Sequence, residues 1–319
     1  MPVSIGLLWL VRWVIPDHER GKMRSMNYSR SHEKLEDITF VIFDFETTGL
    51  YPLQGDKICE IGAVKTIGMK TVDQFSQLVN PLRPIPQEAS KFNGITDAVV
   101  RKAPVLEEVL PKFLDFIDPD AVLVAHNVPV DLSFFIAALQ ELELKPLKNV
   151  VIDTLYLSRK LYPHYRHHNL DELRYRFKLG YSNVHRGLGD ALATRDLLWI
   201  LLDDVMDTGD DTFQGVLRFH GLPYRFPKIR DMVTHLYSSD LAEKLETAML
   251  NHRALLLEYI SPDQSTSRLV NPYFLLPLGK HCYLRAYCHL RGKMSTFRLD
   301  RILKMELTDV IFTKDLSLY

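Results

Sequence analysis

An α/β domain built on a mixed sheet, followed by a small all-β domain, is the fold class this sequence predicts. Three observations carry the prediction. A strand-like run from Ile38 to Leu50 (ITFVIFDFETTGL) is apolar on both faces, as a central strand is. After a hairpin-like pair, strand-like runs alternate with helix-like ones as far as Leu202. From about Leu245, short strand-like runs follow one another between Gly, Pro and polar turns. The 319 residues fit two domains, and 46% hydrophobic with 25% charged residues is ordinary globular composition.

In chain order, Phe40, Ile42, Asp44 and Glu46 share one face of the first strand, and Val41, Phe43 and Phe45 the other. ICEIGAVKTI and DQFSQLV, around Gly68, read as a hairpin. NPLRPIPQEA reads as a Pro-rich loop. Helical period is expected from Pro104 to Ile117 and from Pro129 to Leu142, with a short buried strand from Ala121 to Asn127 between them. Val150–Thr154 is the next strand, and Leu155–Leu161, Leu170–Phe177 and Leu188–Leu202 are the next helices. The first domain is thus expected over 37–204. The acidic, turn-rich MDTGDDTFQG opens a linker over 205–244, whose helix, Asp240–His252, is capped by Ser238 or Ser239. The all-β domain occupies 245–319, with strands at Leu255–Ile260, Arg268–Val270, Tyr273–Leu276, Cys282–Tyr287, Ser295–Leu299 and Leu303–Leu307.

The N-terminal 36 residues are expected to be a disordered extension. Ile5–Ile15 is apolar apart from Arg12 but too short to span a bilayer, and the polar DHERGKMRSMNYSRSHEKLED follows. Two readings stay open: translation beginning at Met23 or Met26, and a weak membrane or partner anchor. A net charge of −1 excludes a polycation, so any nucleic-acid binding must rest on local patches or metal ions. Cys59, Cys282 and Cys288 have no metal-ligand spacing and fit a reducing, cytoplasmic compartment. No membrane partner is expected.

Two carboxylates at the end of a buried strand repel each other and are costly to bury, and a divalent cation removes that cost. An acidic strand end open to water is the alternative for Asp44 and Glu46. Asp131, in HNVPVDLSFF, lies on the core face set by Phe134, Phe135, Ala138 and Leu139. It is either a ligand or a helix-start Asp favoured by the dipole. In VHRGLGDALATRDLL, Asp190 sits in the first turn of a helix, and His185 lies five residues earlier in a Gly-rich loop. Hard Mg²⁺ or Mn²⁺ ions prefer such oxygen ligands, and a pair of them can clamp the attacking and leaving oxygens of a phosphodiester. An imidazole nearby can take a proton from water near neutral pH.

In this order these residues resemble the DEDDh exonuclease family, which includes the proofreading epsilon subunit of bacterial replicative DNA polymerase. FDFETTG carries Asp44 and Glu46, HNVPVD carries Asp131, and HRGLGD carries His185 and Asp190. NPLRPIPQEASKFNGIT and VIDTLYLSR also match segments of that family, with Phe92 where many members have histidine. The resemblance implies a ribonuclease-H-like mixed sheet flanked by helices. It also implies release of nucleoside 5′-monophosphates from DNA or RNA 3′ ends. By the same resemblance Asp44, Glu46, Asp131 and Asp190 bind two metal ions, His185 is the base, and Thr47 and Leu50 contact the terminal nucleotide.

From about Leu245 the chain resembles the WYL domain of bacterial regulators, on ALLLEYI and RLVNPYFLLPLGKHCYLRAYCHLRGKMSTFRLDRI. Cys282 replaces the Trp of the Trp-Tyr-Leu triplet, ahead of Tyr283 and Leu284. This implies a small Sm-like β-barrel that senses ligands, some of them nucleic acid. Residues 251–319 hold ten Lys or Arg against six Asp or Glu. Arg268, Arg285, Arg291, Arg298 and Arg301 lie among Tyr283, Tyr287 and Phe297. Arginines beside aromatics bind phosphates and stack bases, and Arg285 and Arg298 are the candidates for that task. Alternatively, Arg stems cover barrel aromatics while Arg298 or Arg301 pairs with Asp300 or Glu306.

The expectation is therefore a metal-dependent 3′→5′ exonuclease acting on single-stranded DNA or RNA ends, with an appended sensing domain. Association with replication or repair proteins fits that picture. The alternative is a regulatory nucleic-acid-binding protein that uses the fold without turnover; retention of all five catalytic-type residues favours the enzyme.

Overall fold

β1 (Thr39–Thr47) divides the first domain's core in two. Val41, Phe43 and Phe45 join one apolar cluster, and Phe40 and Ile42 join another, as the strand's period of two requires. The structure is a computed structural model that describes residues 30–179, 185–221, 223–228, 233, 237–260, 264–278 and 281–315. β2 (Ile58–Ile67) and β3 (Lys70–Leu78) extend β1 as an antiparallel meander. β4 (Val122–Ala125) and β5 (Val150–Asp153) lie parallel to β1, and β6 (Tyr224–Arg225) closes the other edge antiparallel. The order β3-β2-β1-β4-β5-β6 is the expected mixed sheet.

Helices cover both faces. On one lie α3 (Leu106–Phe116) and α4 (Val128–Glu141), through Val109, Leu110, Phe113, Leu132 and Phe135. On the other lie α5 (Thr154–Leu161), α6 (Leu170–Phe177), α7 (Gly187–Met206) and α8 (Phe213–His220), through Leu157, Leu173, Leu197, Leu201 and Phe213. The Pro-rich loop read over Asn80–Ala89 gives way at Gln87 to a short helix, α1 (Gln87–Asn93), and a second, α2 (Asp97–Val100), follows it. Pro86 does not prevent the first, because proline's fixed φ is compatible with a helix start.

Two boundaries are corrected. The acidic stretch after Asp204 is not a detached linker: α7 runs to Met206, and α8 buries Phe213 and Val216 in the first domain's core. Turn-forming residues marked the corner, but the apolar side chains beyond it belong to the same core. The disorder expected over 1–36 is contradicted for Arg30–Glu36. Leu35 is buried, and its N–H donates to Asp211 O at 2.9 Å, tying the segment to the start of α8. Residues 1–29, with the apolar Ile5–Ile15 run, lie outside the described residues.

The C-terminal domain begins with α9 (Ser239–Leu250), capped by Ser238, whose Oγ accepts from Leu241 N. It packs on β7 (Arg253–Ile260), β8 (Ser265–Leu278), β9 (His281–Cys288), β10 (Lys293–Arg298) and β11 (Ile302–Ile311). All neighbours are antiparallel, in the order β10-β9-β8-β7-β11. β10 and β11 end that order on opposite sides, yet the three residues Leu299–Arg301 join them. So short a link reaches only about 10 Å, so the sheet must curl to bring its edges together. Two short strands read at Arg268–Val270 and Tyr273–Leu276 are one long strand, with a register irregularity between Pro272 and Phe274. The two domains share one apolar cluster, in which Phe134 and Phe135 of α4 join Phe226 and Phe274.

Candidate functional site

β1 stops being a regular strand just after its second carboxylate. Asp44 faces Gly62 and Glu46 faces Glu60 on β2, and the register shifts between Glu46 and Thr47. Such a bulge re-aims the chain at a sheet end. α7 then approaches β2 so closely that a Cβ on Gly62 would lie 1.9 Å from the Gly187 carbonyl carbon. Only glycine permits that contact, and it sets Asp190, in the first turn of α7, beside β1. Asp44, Glu46 and Asp190 each offer an oxygen, all within 4.8 Å of one another. Asp131, in the first turn of α4, is buried, and its Oδ1 accepts from Phe45 N at 3.1 Å, which lays it against β1 between the two acids.

This grouping opposes ionisation. Burial, then the carboxylates of Asp131, Asp190 and Glu46, hold Asp44 well above the usual carboxylate range. Burial, then Asp190 and Glu60, push Glu46 up. Burial also raises Asp131 and Asp190, the latter offset by the guanidinium of Arg174. Arg174, on α6, is buried and donates to Asp190 Oδ1 and to Gly189 O. A hard-oxygen set this compact, and this short of positive charge, fits divalent cations such as Mg²⁺ or Mn²⁺.

A fifth acid, Glu60, holds the loop ahead of α7. Glu60, 2% exposed, accepts from Arg186 Nε at 2.9 Å and Nη2 at 2.6 Å, and from Gly187 N at 3.0 Å. Next to this fork His185 takes φ 58°, and its N–H donates to Asp190 Oδ1 at 3.2 Å. Its imidazole lies 4.1 Å, centroid to centroid, from the exposed ring of Phe92, and its Nε2 is 3.8 Å from Asp171 Oδ2.

Residues 41–198 match the family described as Exonuclease, and residues 240–307 match the WYL domain. The chain joins an exonuclease-family domain to a WYL domain. A PolC-type DNA polymerase III of Caldanaerobacter subterraneus subsp. tengcongensis is 44% identical over 170 residues, covering 53% of this chain and 12% of that protein. A DNA polymerase III subunit epsilon-like protein of Rhodobacter capsulatus is 41% identical over 197 residues, covering 59% of this chain and 27% of that protein. The chain thus spans a small part of the length of these relatives. In fold it is similar to E. coli ExoI in its zinc-bound complex with single-stranded DNA: TM-score 0.50, 16% identity, 78% of this chain and 54% of that one.

The exonuclease domain brings Asp44, Glu46, Asp131, Asp190 and His185 to one end of its sheet, the carboxyl end of the parallel strands β1, β4 and β5. Thr47 and Leu50 follow on the turn beyond Glu46. Thr47 Oγ1 donates to Gly49 O at 2.5 Å, and Leu50 is exposed. Arg285 and Arg298 do not form one exposed face. Arg285 is buried and donates to Thr296 Oγ1 at 3.2 Å, with its guanidinium against the Gly55 turn of the exonuclease domain. Arg298 is paired with Asp300 at 2.6 Å. The rim pairing weighed as the alternative is the arrangement Arg298 adopts.

Three features of the site escaped the sequence reading. Glu60 sits on an apolar strand, and Arg174 is one of four charged residues on α6, so neither stood out. The third is Arg159–His168, RKLYPHYRHH, which carries Arg159, Lys160 and Arg166 exposed and contains no acid. Tyr162 and Tyr165 stack there at 5.0 Å, and Arg176 lies 4.5 Å over the Tyr165 ring. The segment joins the site's edge through His126, whose Nδ1 meets Thr154 Oγ1 and whose Nε2 meets His168 O, each at 2.9 Å. Burial lowers His126 to about 4, and Arg159 pushes in the same direction. The signal was legible: three basic and two aromatic side chains within ten residues. No described helix is long and apolar enough to cross a membrane.

Proposed function

We propose that the protein is a metal-dependent 3′→5′ exonuclease that releases nucleoside 5′-monophosphates from DNA or RNA. The observation that carries this reading is the group of Asp44, Glu46 and Asp190 within 4.8 Å, with Asp131 laid against the same strand. The four carboxylates would hold the divalent cations. Once bound, these supply a positive charge that stabilises the oxygens of a phosphodiester under attack.

The chain's own residues do the remainder. The turn from Thr47 to Leu50 receives the 3′-terminal nucleotide beside the carboxylates. His185 takes the proton from the attacking water; it reaches the site on a backbone fixed to Asp190, with Phe92 and Asp171 limiting how its ring turns. Phe92 presents an exposed aromatic face at the same mouth. Arg159, Lys160 and Arg166 take the phosphates of the strand leading to the 3′ end. An intact carboxylate set favours turnover over binding alone. Similarity to polymerase III chains supports association with replication or repair proteins, and three buried free cysteines support a reducing, cytoplasmic location.

The deciding experiment digests single-stranded DNA, duplex DNA and RNA carrying a label at either end, with Mg²⁺ or Mn²⁺. A 3′ label leaves first, as a mononucleotide, and EDTA stops the reaction. Early loss of a 5′ label, or full activity in excess EDTA, overturns the reading.

A further inference from the structure

The exonuclease turn that leaves the carboxylates is held from two sides, and one of those sides belongs to the WYL domain. Arg83, from its own domain, donates to Gly55 O and, at 3.1 Å, to Asp56 Oδ1. From the other side Thr296, on β10, donates its hydroxyl to Leu53 O at 2.8 Å. The same hydroxyl accepts from Arg285 Nη1 at 3.2 Å. This makes a relay from guanidinium to hydroxyl to main-chain carbonyl, with Arg285 and Leu53 both buried. A charged donor strengthens such a chain, and water has little access to compete.

A second grip lies on α4, the helix whose first turn carries Asp131. The side-chain amide of Gln140 donates to Leu275 O at 3.0 Å and accepts from Leu275 N at 2.8 Å. β7 pairs with β8 only as far as Val270, so Gln140 fills the place of a strand neighbour on an edge that would otherwise be unpaired. Lys314 Nζ adds a bond to Gln140 O at 3.0 Å. The two grips fall on the two elements that flank the carboxylates: the turn beyond Glu46 and the helix of Asp131.

We propose that Thr296, Arg285 and Gln140 are positioning residues for the nuclease reaction, so that the WYL domain completes the 3′-end pocket by fixing the turn 48–57 and α4. Arg285 then serves the strand end indirectly, through Thr296, and does not meet the nucleic acid. The inference rests on the nucleolytic reading above for its kinetic consequence, and on the contacts alone for its structural one.

The test uses the full chain. Thr296→Val keeps the shape and removes the hydroxyl; Thr296→Ser keeps the hydroxyl; Gln140→Leu removes the amide. Amide hydrogen exchange is followed over 48–57, and KM and kcat are measured on a 3′-labelled oligonucleotide with Mg²⁺. Losing one such hydrogen bond corresponds to about a 2- to 10-fold change. Thr296→Val should speed exchange in 48–57 and raise KM by that factor, with kcat nearly unchanged, and Thr296→Ser should restore both. Gln140→Leu should speed exchange in α4. If Thr296→Val leaves exchange in 48–57 and KM as in the wild type, the proposal falls, even if the melting temperature drops. Should the wild type degrade no nucleic acid, the nucleolytic reading fails, and exchange in 48–57 alone decides the inference.

Discussion

At the carboxyl end of β1, four carboxylates converge with the Arg174 guanidinium beside them. On the WYL sheet, by contrast, Arg298 pairs with Asp300, Arg253 with Asp309 and Lys304 with Glu306. The first arrangement is unbalanced and buried, and it pushes its own members toward protonation. The second is balanced pair by pair at the rim, where solvent screening leaves an ion pair little to contribute to stability. A bound divalent cation would relieve the first imbalance. The second needs no ligand at all. Counting charges, as the excess of basic residues over 251–319 invites, does not separate these cases; pairing does.

The sharpest way to break the contrast is to remove one acid from the unbalanced group. Asp44→Ala should lower turnover about 10³- to 10⁴-fold, because the stabilisation lost amounts to several kcal/mol of barrier. It should leave the metal-free protein no less stable, since the lost carboxylate is opposed by burial and by Asp131, Asp190 and Glu46. Label release and thermal melting in EDTA measure the two halves. Activity within tenfold of wild type would mean that the cluster is not the reacting centre.

His185 sharpens the same region from within. Its backbone serves Asp190 while its imidazole lies against the ring of Phe92. His185→Ala should therefore cut turnover about 10²- to 10³-fold while Mg²⁺ or Mn²⁺ affinity persists. Calorimetric titration separates the outcomes: affinity lost together with activity would make His185 part of the cation site.

How much of this the sequence disclosed follows the same contrast. The strand faces of β1, the alternation from β4 to α7 and the four acids were all readable, because short-range periods and motif spacing carry them. What depended on long-range contact was not. The linker hid α8 because Phe213 finds its core partners in helices far earlier in the chain. Arg285 read as a phosphate ligand because nothing local shows that the Leu53–Gly55 turn packs on it. One long-range clue was present: LSFFIAAL in α4 is apolar all round, and such a helix must be covered on both sides. The sheet supplies one cover, and the C-terminal domain, through Phe274 and Leu275, supplies the other.

The basic segment of the exonuclease domain is the next test in order of size. Replacing Arg159, Lys160 and Arg166 together with Ala should weaken binding of a labelled single strand about tenfold or more at low salt. It should also flatten the salt dependence by about 2 in the log–log slope, at roughly 0.7 per lost phosphate contact. Fluorescence anisotropy over a salt series measures both. An unchanged slope would place the strand elsewhere.

The smallest effect is expected at Arg298, and the contrast depends on its being small. Its guanidinium is held by Asp300 at 2.6 Å, and Asp300 also faces His281 Nδ1 at 3.1 Å. Binding a phosphate there would first require breaking a pair that the protein already satisfies. Arg298→Ala removes the side chain but leaves the backbone N–H of residue 298, which donates to the Tyr259 hydroxyl at 3.2 Å, so the curl of the sheet survives. A paired rim charge contributes roughly 0–1 kcal/mol to stability, and strand affinity should change by less than about twofold at every salt concentration. The measurement is the same anisotropy series, run beside the triple variant of the basic segment. A tenfold loss that shrinks as salt rises would show Arg298 exchanging Asp300 for phosphate, and the WYL face would then be a second track for the strand.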